Sequence, residues 1–322
     1  MQSIEKRQLG QSGMEVTVVT FGGWQAGKSG WTDVDDEESL KAMRAAYDSG
    51  INFFDTAEGY GEGHSETVMG EALQSVRDQV LIATKVGGHK ADEVAQACDK
   101  SLKRLRTDHI DLYQIHWPSG SWGGDIVPIE ETMSAMVKLK EAGKIRALGV
   151  SNFSSAQIEE ALQFGHVDSL QPPYSLFWRE YEFNGTLQTC VKHNIGVIAY
   201  SPLAQGLLTA KFSRDNRPQE GDNRNGNTLF KGEHYEQSLS AVEELKPIAQ
   251  KYGVTTGQLS LQWLLGQPGM TSVIVGARNI EQVQGNVACA GFKISDEDRA
   301  AIDAIGRTVT DKLPAGKTNM WA

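Results

Sequence analysis

Eight short apolar runs, separated by helical patterns, constrain the fold of this chain more than any other feature. Each run is rich in β-branched and aromatic residues and almost continuously apolar, as is typical of parallel strands that are buried on both faces. The runs span residues 18–21, 51–54, 80–83, 110–115, 146–150, 168–171, 196–200 and 272–275. Helical patterns between them span residues 37–49, 65–76, 92–105, 129–142, 155–164 and 186–193. This repeated alternation favours an α/β fold of the (β/α)8 TIM-barrel type over an open, doubly wound sheet.

Three segments lie outside the regular alternation. Residues 201–271 form a connection much longer than the others, with a polar stretch at 212–230, and we expect a long loop at about 203–235. Long loops after barrel strands lie on the catalytic face and commonly clamp ligands, although a plain surface insertion is the alternative. A turn at residues 10–13 predicts an N-terminal β-hairpin that plugs the barrel bottom, and a C-terminal tail spans about 308–322. We interpret residues 1–322 as a single barrel domain.

Charge and composition exclude several classes of protein. The 322 residues include 31 basic and 41 acidic ones, and the resulting net charge of −10 disfavours nucleic acid or an anionic membrane as partner. No apolar run reaches the roughly 18 residues of a membrane-spanning helix, and the N-terminus lacks a signal-peptide pattern, so we expect a cytoplasmic protein. The three cysteines are widely spaced and the seven histidines show no metal-binding spacing, so we expect neither disulfides nor a metal site.

One motif match points to a different chemistry. Residues 22–29 read G-G-W-Q-A-G-K-S and fit the phosphate-binding loop of nucleoside triphosphatases. Such a loop must run directly into a helix, because the free N–H groups of the helix N-terminus hold the phosphates. Here residues 30–36 read G-W-T-D-V-D-D, which breaks a first helical turn and places three carboxylates beside the supposed phosphates. The sequence therefore argues against a triphosphatase.

Polar side chains follow the second, third and fourth apolar runs, at the points where the strands end. Asp55 and Tyr60 lie in D-T-A-E-G-Y-G after the second run, Lys85 in T-K after the third, and His116 in Q-I-H at the end of the fourth. Consecutive barrel strands are about 4.8 Å apart, so these ends lie within roughly 10 Å of one another. The four side chains can therefore meet at one point on the catalytic face.

These four residues together suit the reduction of a carbonyl group. Tyrosine has a pKa of about 10, but we expect the Lys85 ammonium to lower the pKa of Tyr60, while Asp55 holds Lys85 charged. His116 can orient a substrate oxygen, and Tyr60 can protonate the alkoxide that hydride transfer creates. Each residue alone also fits a structural role, as an ion pair, a loop aromatic or a core histidine. The convergence of four compatible groups favours the catalytic interpretation.

Six ordered motifs together resemble the aldo-keto reductase superfamily. They are D-T-A-E-G-Y-G at 55–61, T-K at 84–85, Q-I-H at 114–116, G-V-S-N-F at 149–153, A-Y-S-P-L at 199–203 and V-I-V-G-A-R at 273–278. The match runs from the N-terminal hairpin to about residue 307. The resemblance implies a (β/α)8 barrel that uses a nicotinamide cofactor without a Rossmann fold. It also implies that Tyr60 is the general acid/base, supported by Asp55, Lys85 and His116.

The resemblance further implies positions for NADPH or NADP. The residues that match those holding the nicotinamide carboxamide are Ser151, Asn152 and Gln171, and Tyr200 matches the aromatic residue that stacks on the nicotinamide ring. The residues that resemble the pyrophosphate-binding stretch are Ser201, Leu203, Gly206 and Lys211. The residues that resemble the 2′-phosphate and adenine site are Gly276, Arg278, Gln282 and Asn286.

Aromatic residues after the strands indicate a pocket for a small carbonyl substrate. Trp24 follows the first run and Trp117 follows His116, so with Tyr60 they predict an aromatic-walled mouth. The sequence thus predicts an NADPH-dependent reductase of aldehydes or ketones, acting as a monomer or small homo-oligomer. Potassium channel beta subunits resemble the same superfamily, so the alternative is a cofactor-sensing regulatory subunit with little turnover. Steady reduction of simple aldehydes would separate these two functions.

Overall fold

The strands form an antiparallel hairpin and a closed parallel barrel. The computed structural model describes residues 4–31 and 33–321, so the outermost ends of the predicted domain lie outside the described residues. The hairpin strands are β1 (Lys6–Gln8) and β2 (Glu15–Thr17). The barrel strands are β3 (Val19–Gly22), β4 (Phe53–Asp55), β5 (Leu81–Val86), β6 (Ile110–Ile115), β7 (Ile145–Ser151), β8 (Ser169–Gln171), β9 (Gly196–Ala199) and β10 (Met270–Gly276). Each barrel strand pairs in parallel with the next, and β10 closes the ring on β3, which confirms the predicted (β/α)8 barrel.

Helices surround the barrel and connect its strands. They are α1 (Asp36–Asp48), α2 (His64–Leu73), α3 (Ala91–Leu105), α4 (Ile129–Glu141), α5 (Ser155–Ala161), α6 (Glu180–Phe183), α7 (Thr186–Lys192), α8 (Gly232–Lys251), α9 (Thr256–Leu265), α10 (Ile280–Val287) and α11 (Asp296–Thr310). The pattern at 65–76 runs past the end of α2, because the chain continues from Gln74 as a 3₁₀ helix in which Val76 leaves the helical conformation at φ −129°. Within residues 4–31 and 33–321, none of the helices has the length and apolarity that a membrane crossing requires.

The hairpin plugs the bottom of the barrel, as predicted. Its residues Leu9, Met14 and Val16 are buried against inward-facing side chains of the barrel strands. The strand residues of this inner core are Phe53, Ala83, Leu112, Ala147, Ile198 and Ile274. A larger core lies between the outward-facing strand residues and the helices. Alternate residues of each strand thus enter two different cores, which explains why the predicted runs are almost continuously apolar.

The long connection after β9 spans the catalytic face and meets two other segments. The backbone N–H of Asn223 donates to the carbonyl of Gly30 at 3.3 Å, and Asn223 Nδ2 donates to the carbonyl of Ser29, also at 3.3 Å. The backbone N–H of Thr228 donates to the carbonyl of Met320 in the tail at 2.9 Å. Because Met320 is fully buried, the tail is anchored on this connection. The connection therefore links the first barrel loop to the C-terminal tail.

We expect Gly10→Ala to destabilise the fold more than Gly13→Ala. Both glycines have positive φ, +54° and +75°, where a side chain costs about 1–2 kcal/mol. A Cβ on Gly10 would lie 2.2 Å from the carbonyl oxygen of Asp168, whereas a Cβ on Gly13 would meet nothing within 4 Å. Urea unfolding should show a loss of about 1 kcal/mol for Gly13→Ala and at least about twice that for Gly10→Ala. Equal losses would contradict a turn pressed against the barrel.

Candidate active site

The four predicted catalytic side chains meet at the carboxyl ends of β4, β5 and β6. Lys85 Nζ donates to Asp55 Oδ1 at 2.7 Å and to the Thr56 carbonyl at 2.7 Å. The same ammonium lies 3.4 Å from Tyr60 Oη. The ring of His116 packs edge-on against the ring of Tyr60, with centroids 5.6 Å apart. The fold therefore brings all four groups to one place, as the strand-end argument predicts.

Two buried glutamines complete the surroundings of Asp55. Gln171 Nε2 donates to Asp55 Oδ2 at 2.9 Å, and Gln114 Nε2 donates to the same oxygen at 3.4 Å. A buried carboxylate needs such donors because it has lost its hydration. The sequence motifs imply a cofactor contact alone for Gln171 and no role for Gln114. The alternation of strand side chains could have identified Gln114, because it lies two residues before His116.

Burial governs the proton states of Lys85 and Tyr60. Burial alone lowers the pKa of Lys85, but the adjacent Asp55 carboxylate reverses this effect and the net shift is upward, so the ammonium stays charged. Burial raises the pKa of Tyr60, and Lys85 offsets only part of that rise. Lys85 thus lowers the pKa of Tyr60, as expected, but the net shift is upward, because moving a phenolate out of water outweighs its attraction to one ammonium. Tyr60 keeps its proton at neutral pH, which is the state that a proton donor needs.

His116 is held in the neutral form. Burial, and secondly the Lys85 ammonium, lower its pKa to about 3. A neutral imidazole keeps one N–H donor, so it can hydrogen-bond a carbonyl oxygen. The backbone N–H of His116 donates to the carbonyl of Val86 at 2.7 Å, which ties the residue to the end of β5. An imidazole with so low a pKa is uncharged at neutral pH. It is therefore suited to orienting an oxygen and not to delivering a proton.

The residues assigned to the nicotinamide ring lie beside this group. Ser151 ends β7, Asn152 follows it, Gln171 ends β8 and Tyr200 follows β9. Ser151 Oγ donates to the carbonyl of Gln171 at 2.7 Å, and Tyr200 Oη donates to Asn152 Oδ1 at 2.9 Å. Because Gln171 also donates to Asp55, the four residues are held next to the catalytic group.

A cluster of cations lies on the side of β10. Burial, followed by repulsion from Arg224 and Arg278, lowers the pKa of Lys211 to about 8. Burial and repulsion from Arg224 also lower the pKa of Arg278. The guanidinium carbons of Arg224 and Arg278 lie 5.5 and 5.6 Å from the ring centroid of Trp31, an arrangement that no sequence motif indicates. Asp222 pairs with Arg224, and Asp33 is a second counter-charge that acts on Arg278. An added anion would relieve the remaining repulsion.

One cavity of about 390 Å³ extends from the catalytic group to the residues after β10. Its lining includes the predicted residues Trp24, Asp55, Tyr60, Tyr200, Ser201, Leu203, Gly206, Lys211, Gly276, Gln282 and Asn286. Two further lining residues, Gln25 and Gln205, each have a buried amide atom without a hydrogen-bond partner in the part of the chain that the structure describes. Arg278 adjoins this lining, since its backbone N–H donates to Gln282 Oε1 at 2.9 Å. Amide atoms without partners and cations that repel one another fit a polar ligand that carries negative charge, such as a nicotinamide dinucleotide.

Aromatic rings surround Tyr60 at the mouth of the cavity. The ring centroid of Trp24 lies 6.2 Å from that of Tyr60 and 5.9 Å from that of Trp321. The tail thus contributes Trp321, whose ring is nearly parallel to that of Tyr200 at 6.2 Å. Trp117 packs edge-on against Trp122 at 5.0 Å. The roles of Trp24 and Trp117 in substrate binding stay predictions.

The segment that resembles a phosphate-binding loop has a different conformation. Residues Trp24–Gly27 form a 3₁₀ turn, Lys28 takes a left-handed φ of +63°, and α1 begins only at Asp36. Lys28 Nζ pairs with a carboxylate oxygen of Asp36 at 3.0 Å. Because the loop does not continue into a helix N-terminus, it lacks the free N–H groups that hold phosphates in triphosphatases.

Comparison with known proteins identifies the family. The model of the aldo/keto reductase family matches residues 18–307. The chain belongs to the aldo/keto reductase family. It is accordingly an oxidoreductase, and the family uses a nicotinamide cofactor on small carbonyl compounds.

Several aldo/keto reductase relatives are similar over nearly the whole chain. The aldo-keto reductase YhdN of Bacillus subtilis is 36% identical, with 96% of each chain covered. The NADH-specific methylglyoxal reductase of Escherichia coli is 34% identical, with 92% of this chain and 96% of the relative covered. A probable voltage-gated potassium channel subunit beta of Arabidopsis thaliana is 33% identical, with 88% of this chain and 90% of the relative covered.

A solved structure shows the same architecture. The glycerol dehydrogenase AKR11B4 from Gluconobacter oxydans superimposes with a TM-score of 0.87 at 34% identity. The match covers 99% of this chain and 100% of the other. The similarity therefore extends beyond the barrel to the hairpin and the loops of the catalytic face.

We expect His116 to remain unprotonated between about pH 5 and pH 8. Its pKa of about 3 lies far below the usual value of about 6.5, because protonation would place a cation in a buried site beside Lys85. Nitrogen-detected or proton–nitrogen NMR of the imidazole rings measures this directly, and loss of one signal in His116→Gln identifies the residue. An imidazole signal of His116 that titrates near 6.5 would show that the ring is hydrated and would remove the argument for a neutral orienting group.

Proposed function

We propose that the protein is an NADPH-dependent reductase that converts aldehydes or ketones to alcohols, with Tyr60 as the general acid. The observation that carries this proposal is the contact of Lys85 Nζ with Tyr60 Oη at 3.4 Å, beside the ring of His116. The phenol is protonated at neutral pH, and its conjugate base would form next to an ammonium. Family membership and the orphaned amide atoms of the cavity support the cofactor.

The residues divide the chemistry among them. A bound nicotinamide cofactor would supply a hydride to the carbonyl carbon. Tyr60 Oη donates its proton to the carbonyl oxygen as negative charge develops there, and the N–H of His116 orients the same oxygen. Lys85 stabilises the phenolate that Tyr60 becomes, until solvent returns a proton. Asp55 acts one step further away, because it keeps Lys85 charged and fixed at 2.7 Å.

The cofactor preference follows from the cation cluster. Arg278 can make two charge-assisted hydrogen bonds to a 2′-phosphate, and its lowered pKa reflects a crowded site that an anion would stabilise. NADH is the alternative cofactor, since one relative is named NADH-specific.

A cofactor-sensing regulatory subunit is the second candidate function. The similarity to a probable potassium channel subunit beta over 88% of this chain favours it. Both candidates need the cofactor site, but only the reductase needs rapid proton donation to a substrate. Sustained oxidation of NADPH with a panel of small aldehydes would support the reductase, and cofactor binding without turnover would support the regulatory subunit.

We expect Tyr60→Phe to lower the rate of hydride transfer by about 10² to 10⁴-fold or more, since general acid catalysis contributes that much. The change removes one hydroxyl and keeps the ring that packs against His116 and Trp24, so folding and NADPH binding should hardly change. Single-turnover fluorescence at saturating NADPH measures the rate. If Tyr60→Phe kept most of its hydride-transfer rate, Tyr60 would not be the acid, and His116 would become the candidate for that role.

Two further variants test how Tyr60 is supported. Lys85→Met should cause a comparable loss of rate, because the phenolate would lose its neighbouring cation, and it should also destabilise the fold by leaving Asp55 unpaired. Asp55→Asn should cost less rate, because Asp55 acts through Lys85. A larger kinetic loss for Asp55→Asn than for Lys85→Met would contradict this order of action.

We expect Arg278→Ala to weaken NADPH binding by about 10- to 100-fold, the net value of about one charge-assisted hydrogen bond, and to leave NADH binding nearly unchanged. Fluorescence titration gives both dissociation constants. Arg214→Ala is the matched control, because it removes an arginine of the long connection after β9 that is exposed and paired with Glu236. The same ratio of NADPH to NADH affinity in wild type and Arg278→Ala would contradict the assigned phosphate contact.

A further inference from the structure

The hydroxyl of Tyr200 is connected to the backbone of His116 through one side chain. Tyr200 Oη donates to Asn152 Oδ1 at 2.9 Å, and Asn152 Nδ2 donates to the carbonyl oxygen of His116 at 3.0 Å. The three residues follow β9, β7 and β6, respectively. The connection therefore crosses the catalytic face, from the residue assigned to the nicotinamide ring to the residue assigned to the substrate oxygen.

Asn152 is held in one orientation. Its backbone has a left-handed φ of +63°, a conformation that asparagine tolerates better than most other non-glycine residues. Its backbone N–H donates to the carbonyl of Gln171 at 3.2 Å, and its Nδ2 donates a second hydrogen bond to Ser151 Oγ at 3.0 Å. A reversed amide would place its oxygen against the His116 carbonyl, so the network itself fixes which amide atom faces His116.

Both polar groups of the His116 backbone are thereby fixed. Its N–H donates to the carbonyl of Val86 at 2.7 Å, and its carbonyl accepts from Asn152 at 3.0 Å. The imidazole then lies edge-on to Tyr60 with centroids 5.6 Å apart. Without the Asn152 contact, the carbonyl group of His116 would lose its hydrogen bond, and the distance between the His116 and Tyr60 rings would no longer be fixed. Burial raises the pKa of Tyr200 well above its usual value, so its hydroxyl stays protonated and remains a donor.

We propose that the Tyr200 hydroxyl and Asn152 are positioning residues that align His116 with Tyr60 for carbonyl reduction. The ring and the hydroxyl of Tyr200 then have separate tasks: the ring faces the cofactor, and the hydroxyl acts through Asn152 on His116. This inference rests on the proposed function, because it assumes that His116 orients the substrate oxygen.

Tyr200→Phe separates the two tasks, because it keeps the ring and removes only the hydroxyl. We expect the dissociation constant for NADPH to stay within about twofold of wild type. The kcat/KM for a small aldehyde should fall about 10-fold or more, since displacements of about 1 Å in an active site can cost up to 10²-fold. Tyr174→Phe is the matched control: it also removes one tyrosine hydroxyl, which donates to Glu182 Oε2 at 2.7 Å, and it should leave kcat/KM near wild type.

A double-mutant cycle shows whether Tyr200 acts through His116. In a His116→Gln background, Tyr200→Phe should cause little additional loss of kcat/KM, because its effect is transmitted through an imidazole ring that is already absent. A merely structural contribution of the hydroxyl would lower kcat/KM by the same factor in both backgrounds, and that result would overturn the proposal. Retention of kcat/KM within twofold in Tyr200→Phe alone would overturn it as well.

The imidazole signal of His116 provides a readout that does not depend on turnover. Tyr200→Phe and Asn152→Ala should both shift this NMR signal, and Tyr174→Phe should not. If the wild-type protein reduced no aldehyde, the proposed function would fail, but the NMR comparison would still decide whether Tyr200 positions His116. An unchanged His116 signal in both Tyr200→Phe and Asn152→Ala would overturn the positioning role.

Discussion

A charged lysine buried in the upper part of the barrel is the constraint on which the candidate site depends. Lys85 is fully buried, and an ion removed from water costs several kcal/mol unless it is paired and hydrogen-bonded. An ammonium has three donors, and here they have three acceptors in Asp55, the Thr56 carbonyl and Tyr60. Because the Tyr60 oxygen accepts from Lys85, its own O–H is left to donate to a group in the cavity. The ion pair therefore sets both the position and the polarity of the tyrosine.

The buried charge divides the barrel interior into two layers. The lower layer is apolar and is sealed by Leu9 of the hairpin, whereas the upper layer holds the ion pair and its glutamine partners. A single strand serves both layers, since Leu112 and Gln114 of β6 point inward two residues apart. A Cβ on Gly149 of the neighbouring strand would lie 2.8 Å from the Gln114 side chain. A glycine at this position thus makes room for the polar layer.

Features that depend on a local sequence pattern can be predicted from the sequence, whereas contacts between segments that are distant along the chain cannot. Apolar runs identify the eight strands, and polar residues at strand ends identify the catalytic group, because parallel strands share one carboxyl edge. The position of Trp321 beside Tyr200 has no local signal, since it results from a tail anchored on the long connection. The sequence indicates that Lys85 lowers the pKa of Tyr60 but not that burial outweighs this effect, because sequence shows which charges are near and not how much water is excluded.

The two ends of the cavity contribute to function in different ways. The cations Lys211 and Arg278 lie on the side of β10. In the proposed function their contacts with the cofactor would be the same before and during hydride transfer, so they would increase affinity without accelerating the chemical step. In the proposed mechanism Tyr60 and Lys85 would face the atom on which charge develops, so their interaction with it would strengthen in the transition state. The first set of contacts comes largely from loops and the second from the strand ends and barrel interior. Changes in the loops can therefore alter cofactor preference while the rigid barrel keeps the chemistry constant.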